Sequence, residues 1–210
     1  MPARPPPESP VPAPIDFWFD FSSPYGYVAA ERIDEVAARH GRSVNWRPIL
    51  LGPIFKAVGT APLATLPIKG EYAKRDFARM ARHHKVPFRL PERFPVGTQA
   101  AARAFYLIAD ADPARARDFA KRTYRAYFAE GRDIADPAVV MELVAASGAD
   151  AAAIAGPLKA DAVKERVRAE VDAAMKAGVF GSPYFVVDGE PFWGVDRLPL
   201  LEEWLRTGGW

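Results

Sequence analysis

The segment Ser22-Ser23-Pro24-Tyr25-Gly26-Tyr27 follows a run in which Ile15, Phe17, Phe19 and Phe21 alternate with Asp16, Trp18 and Asp20. That alternation is the two-residue period of a strand. The Ser-Pro step after it opens a helix, because serine is a preferred N-cap and proline suits the first helical position. A second Ser-Pro step, in Gly181-Ser182-Pro183-Tyr184, leads into the strand-like run Tyr184-Phe185-Val186-Val187. Ser23 and Gly26 have the spacing of a Cys-x-x-Cys pair, yet the chain contains no cysteine. Disulfide exchange requires an attacking thiolate, so sulfur chemistry at this turn requires a bound thiol. A helix start offers unpaired N–H donors and a partial positive charge, and the Ser23 hydroxyl adds one more donor, which together suit a thiolate. Ser-Pro alone is equally the mark of an ordinary helix cap.

Other chemistries lack their partners. Ser23 as a hydrolytic nucleophile needs a base within reach, and the three histidines, His40, His83 and His84, stand in no recognisable partner motif. His83 and His84 are adjacent, so on a helix they point about 100° apart and do not make an HExxH-like metal pair; no metal is expected. Arg75, Arg79 and Arg82 fall at helical spacing and read as a solvated face. Lys69, in a loop between Pro67 and Gly70, is free to reach an anion.

The elements that must position these residues follow from periodicity and breakers. After the Ser23 turn, Val28, Arg32 and Val36 continue at helical spacing to a stop at Gly41, and Ser43 to Ile49 reads as a strand, giving a right-handed βαβ unit with parallel strands. Helical patterns then run over Glu71–Lys85, Thr98–Ala109, Pro113–Glu130, Pro137–Ala146 and Asp161–Ala177. Asp112-Pro113 and Asp136-Pro137 are start signals. The strand signal returns at Tyr184–Val187, turns at Asp188-Gly189 into Pro191-Phe192-Trp193, and a last helix covers Leu198–Arg206. The expected architecture is a βαβ half, a helical insertion and a ββα half completing one sheet.

Composition sets outer bounds. A chain of 210 residues, 50% hydrophobic, buries a sizeable core. With 28 Lys and Arg against 26 Asp and Glu, the net charge of +2 gives no nucleic-acid footprint. No apolar run reaches the roughly 18 residues of a membrane span. Residues 1–14 are rich in proline and alanine and read as a flexible tail that interrupts any signal-peptide core, so the absence of cysteine places the expectation in the cytoplasm.

Taken together, Asp16 to Tyr27, the loop from Leu51 through Gly59 to Tyr72, Phe180-Gly181-Ser182-Pro183 and Phe192 to Leu198 resemble 2-hydroxychromene-2-carboxylate isomerases and kappa-class glutathione transferases. The resemblance runs from Ile15 to the C-terminus. It implies an α/β, thioredoxin-like (DsbA-like) fold, with residues 15–60 and 178–210 forming the thioredoxin-like domain and residues 61–177 an inserted helical domain. It also implies a homodimer, bound glutathione and a small aromatic carboxylate substrate. Ser23 matches the serine that activates the glutathione sulfur, with Pro24 beside it. Ser182, before a Pro183 that the resemblance implies is cis, matches the residue whose backbone pairs with the cysteinyl part. Val195 and Asp196 match the loop holding the γ-glutamyl end, and Lys69 matches a lysine near substrate or glutathione. Thr60 stands where the family often carries Asn, and as a glutathione contact its hydroxyl would replace one hydrogen bond of that Asn.

The reaction this implies is a glutathione-dependent isomerisation of 2-hydroxychromene-2-carboxylate to trans-o-hydroxybenzylidenepyruvate in aromatic catabolism. Two alternatives stand beside it. One is a kappa-class-like transferase acting on other electrophiles; the other is a non-catalytic thioredoxin-fold protein that grips extended peptides through the Ser182 backbone.

Overall fold

The computed structural model describes residues 12–210, so the tail expected over residues 1–14 lies almost entirely outside the described residues. Strand β1 (Ile15–Phe19), helices α1 (Pro24–Ala30) and α2 (Ile33–Arg39), and strand β2 (Val44–Pro48) come first. Helices α3 (Leu51–Val58), α4 (Lys69–His83), α5 (Gln99–Ala109), α6 (Pro113–Phe128), α7 (Pro137–Ala146), α8 (Ala151–Ala155) and α9 (Asp161–Lys176) follow. Strands β3 (Tyr184–Val187) and β4 (Glu190–Trp193) and helix α10 (Leu198–Thr207) close the chain.

The strands form one mixed sheet in the order β2-β1-β3-β4. β1 pairs parallel with β2, Phe17 opposite Trp46, and antiparallel with β3, Phe17 opposite Phe185. This is the architecture expected from the strand-helix-strand opening and the closing hairpin. At the hairpin turn both Asp188 (φ 52) and Gly189 (φ 90) are left-handed, as the short primed turns require.

The alternation along β1 assigns its two faces. Ile15, Phe17 and Phe19 are fully buried in the main core with Tyr27, Phe105, Tyr124 and Phe128. Trp18 points the other way, into a second cluster with Ile54 of α3, Val171 and Ala174 of α9, and Tyr184. Both faces of the sheet are therefore covered, and the ends of β1 and β2 open onto α1, α3 and α5. The start signals at Asp112 and Asp136 act as expected, their carboxylates accepting from Ala114 and Arg115 and from Ala138 N–H.

Three local features differ from the sequence expectation. The helix expected to run unbroken to Gly41 divides at Glu31-Arg32, where Arg32 N–H bonds to Ala29 O (2.9 Å) and the Arg32 guanidinium turns to His84 O. The stretch after Leu51, expected as a loop, begins with α3; its apolar residues Leu51, Ile54, Phe55 and Val58 keep helical spacing, and Pro53 is tolerated because it lies in the first turn. The short helix α8 is an addition, capped by the Asp150 carboxylate, which accepts from Ala152 and Ala153 N–H.

Candidate functional site

Ser23 sits at the N-cap of α1 with extended backbone (φ −94, ψ 114) and is only 6% exposed. Its Oγ accepts from Gly26 N–H at 3.0 Å and donates to Ser182 O at 2.9 Å. The second bond spans 159 residues of chain and joins the two Ser-Pro segments directly. The Ser182–Pro183 peptide is cis. Ser182 Oγ accepts from Asp20 N–H at 3.1 Å, and Pro183 O accepts from Gly194 N–H at 3.0 Å. The loop that runs into Val195 and Asp196 is thereby fastened to the cis-proline turn, with Gly194 at φ 107, a value that favours glycine.

Gly26 shows why a thiol pair has no place here. A Cβ on Gly26 would lie 2.5 Å from the Tyr124 hydroxyl and 2.9 Å from Ser182 Oγ. The space that a second cysteine would need is filled by two hydroxyl groups.

Asp20 ties the site to its surroundings. Its carboxylate accepts from Ser22 N–H (2.8 Å), Leu51 N–H (2.8 Å) and the Thr98 hydroxyl (2.9 Å), so it holds the α1 turn, the start of α3 and the residue preceding α5. Its backbone carbonyl accepts from the Tyr124 hydroxyl at 2.9 Å. Burial pushes the Asp20 carboxyl up from its ordinary value, while the bonds from Leu51, Ser22 and Thr98 pull it back in part. Burial likewise raises the Tyr124 phenol well above its usual range, with the Asp20 charge adding to the effect.

A family model, the DSBA-like thioredoxin domain, matches residues 14–206. The chain belongs to that family. Within it, the chain is 30% identical over 193 residues to a 2-hydroxychromene-2-carboxylate isomerase of Pseudomonas putida, covering 90% of this chain and 92% of that protein. It is 26% identical over 213 residues to Glutathione S-transferase kappa 1 of Homo sapiens, covering 93% and 94%. A solved 2-hydroxychromene-2-carboxylate isomerase superposes with a TM-score of 0.81 at 28% identity, over 90% of this chain and 92% of that one. This DSBA-like chain thus falls in the group of these isomerases and kappa-class transferases.

The remaining expected residues of this DSBA-like site surround the Ser23 turn less tightly. Pro24 is the first residue of α1 and is buried. Val195 is buried, 1% exposed, in a short 3-10 turn, and the neighbouring Asp196 carboxylate is exposed and pairs with Arg197 at 2.9 Å. Lys69, expected in a loop, is instead the first residue of α4, because the helix starts directly after the turn at Pro67-Ile68; it is exposed and among the described residues makes no ion pair. It follows Ile68, whose backbone is left-handed (φ 65) and whose side chain is 92% exposed. Thr60 lies exposed past the end of α3, its N–H donating to Phe55 O at 2.9 Å. Among the described residues, no hydrogen bond joins Lys69, Thr60 or Asp196 to Ser23 or Ser182.

Sequence reasoning did not single out Asp20, Thr98, Tyr124 or the pair Tyr25–Asp76. The Tyr25 hydroxyl donates to Asp76 Oδ2 at 2.6 Å, which bridges α1 to α4. Burial, then the bond and charge of Asp76, then Tyr72 and Asp196, push this phenol far above its ordinary value. The signal for Asp20 is its place as an acid at the end of an apolar alternation, but alternation alone does not say whether such an acid faces solvent or the site.

Proposed function

We propose that the chain is a glutathione-dependent isomerase that converts 2-hydroxychromene-2-carboxylate to trans-o-hydroxybenzylidenepyruvate, working as a homodimer in the cytoplasm. The observation that carries this reading is the Ser23–Ser182 bond across a DSBA-like site in which Gly26 leaves no room for a cysteine. The similarity to isomerases over nine-tenths of the chain supports the reaction class.

The residues fit glutathione by their chemistry. Lys69 offers a cation without a carboxylate partner among the described residues, suited to a ligand carboxylate, and Asp196 offers an exposed carboxylate to the γ-glutamyl ammonium. The Ser182 backbone at the cis-proline turn suits the cysteinyl amide. Bound glutathione supplies a thiol that adds reversibly to a conjugated carbonyl system and leaves again, so that the bond that is single in the interval can rotate.

Ser23 sets the ionisation of that thiol. A free thiol titrates at about 8.5, leaving only a few per cent ionised at neutral pH. The Ser23 hydroxyl is held by Gly26 N–H through its oxygen, so its hydrogen remains free to be redirected from Ser182 O to a sulfur anion. That rotation also releases Ser182 O for the ligand backbone. Bonds from the Tyr124 hydroxyl to Asp20 O and from Asp20 N–H to Ser182 Oγ hold the surrounding turn in place.

Turnover of 2-hydroxychromene-2-carboxylate, followed by ultraviolet absorbance with and without glutathione, tests the proposal. Turnover should require glutathione, without consuming it. In Ser23→Ala one charge-assisted hydrogen bond is lost, about 1.5–3 kcal/mol, so turnover should fall by roughly one to two orders of magnitude and the apparent thiol pKa should rise. Turnover independent of glutathione, or a Ser23→Ala enzyme with native rate and thiol titration, removes the assignment.

A further inference from the structure

The serine and threonine side chains buried among the described residues are Ser23, Thr98, Thr123 and Ser182. The first three give their hydrogen to a protein acceptor: Ser23 to Ser182 O (2.9 Å), Thr98 to Asp20 Oδ1 (2.9 Å) and Thr123 to Phe119 O (2.8 Å). Ser182 differs. Its Oγ accepts from Asp20 N–H at 3.1 Å, and among the described residues no acceptor takes its hydrogen.

A hydroxyl carries one donor and two acceptor positions. The Ser182 side chain is therefore fixed through its oxygen while its hydrogen stays uncommitted. The acceptors of Asp20 beside it are occupied: the backbone carbonyl receives Ser23 N–H and the Tyr124 hydroxyl, and the carboxylate receives Ser22 N–H, Leu51 N–H and the Thr98 hydroxyl. A largely buried donor without an acceptor costs free energy, and an anion relieves that cost more than a neutral group does.

The position of this hydroxyl gives it a use. A Cβ on Gly26 would lie 2.9 Å from Ser182 Oγ and 3.1 Å from Ser23 Cβ, so two serine side chains from opposite ends of the chain converge on one point. The Tyr124 hydroxyl lies 2.5 Å from the same point, but its hydrogen is committed to Asp20 O. The Asp20 N–H bond holds Ser182 Oγ in place in the free protein. A donor oriented in advance stabilises charge without reorganising when the charge appears.

We propose that the Ser182 hydroxyl is a second donor to the bound thiolate, acting beside Ser23, so that two hydroxyl groups set the ionisation of the thiol. This role rests on the glutathione reading. It is separate from the backbone pairing at the cis-proline turn, which does not use the side chain.

Ultraviolet difference titration of glutathione bound to native protein, Ser23→Ala, Ser182→Ala and the double variant tests the proposal. Removing a donor to the thiolate raises the thiol pKa, so each single substitution should raise the apparent value by about one unit and the double variant should exceed either. Ser182→Thr keeps the hydroxyl and should titrate close to native, whereas Ser182→Val, its isostere without the hydroxyl, should titrate like Ser182→Ala; this pair carries the comparison if Ser182→Ala does not fold. Calorimetry with S-methylglutathione, whose sulfur does not ionise, separates the hydroxyl from the backbone. Ser182→Ala should bind it within about twofold of native, yet bind glutathione at pH 8 several-fold more weakly. A role confined to holding Asp20 N–H would lower the urea midpoint and leave the titration unmoved. Ser182→Ala titrating as native, a double variant coinciding with Ser23→Ala, or equal weakening of the two ligands overturns the proposal. If the native protein binds no glutathione, or binds it with the thiol at its free value, the glutathione reading itself fails and this donor role falls with it.

Discussion

Replacing Asp20 with asparagine keeps the shape of the side chain and removes its charge, which makes it a sharp test of the hydrogen-bond hub. In the native structure Oδ1 accepts from Ser22 N–H and the Thr98 hydroxyl, and Oδ2 accepts from Leu51 N–H. An amide can place its oxygen at the first position, but its NH2 then faces the Leu51 N–H, donor against donor. A donor left without its acceptor costs about 1–3 kcal/mol, toward the lower end here because Leu51 is only partly buried. The native carboxyl, moreover, titrates above its ordinary value because it is buried. A folded-state pKa above the unfolded one means that the native state binds the proton more tightly. Its stabilising contribution is full below the unfolded value near 3.9 and is lost as pH rises through the folded value, with a slope of at most about 1.4 kcal/mol per pH unit. The amide of the variant does not titrate, so the stability gap between native and Asp20→Asn proteins should be widest near pH 4 and narrow as pH rises. Urea unfolding of both proteins across pH 4 to 8 measures this gap directly. A gap that stays constant, or widens with pH, refutes the argument that burial governs this carboxyl.

Gly26→Ala should cost about 1–3 kcal/mol of stability, because its Cβ would meet the Tyr124 hydroxyl at 2.5 Å. Adding Tyr124→Phe should recover part of that loss even though Tyr124→Phe alone destabilises by freeing Asp20 O, and chemical denaturation of the three variants decides whether the clash is the cause. Asp196→Ala should weaken glutathione several-fold by calorimetry with little change in unfolding midpoint, since its side chain is exposed and among the described residues pairs only with Arg197; unchanged affinity would remove it from the site.

The sequence by itself determined the two Ser-Pro segments, the strand faces and most helix starts, because these rest on local chemistry: β1 alternates, and Asp112 and Asp136 cap their own helices. It also excluded thiol chemistry from the chain's own atoms, since cysteine is absent. Four motifs in order were enough to indicate the family. What only the tertiary structure decided depends on distance across the chain. Asp20 shares its alternating phase with Asp16 and Trp18, yet Asp16 accepts from Asn45 at the edge of the sheet while Asp20 is buried among donors up to 104 residues away. The closure of the Gly26 space required Tyr124 from α6. Periodicity reports which face a residue occupies; it carries no information about what the rest of the fold places opposite that face, and the chemistry of this site is set there.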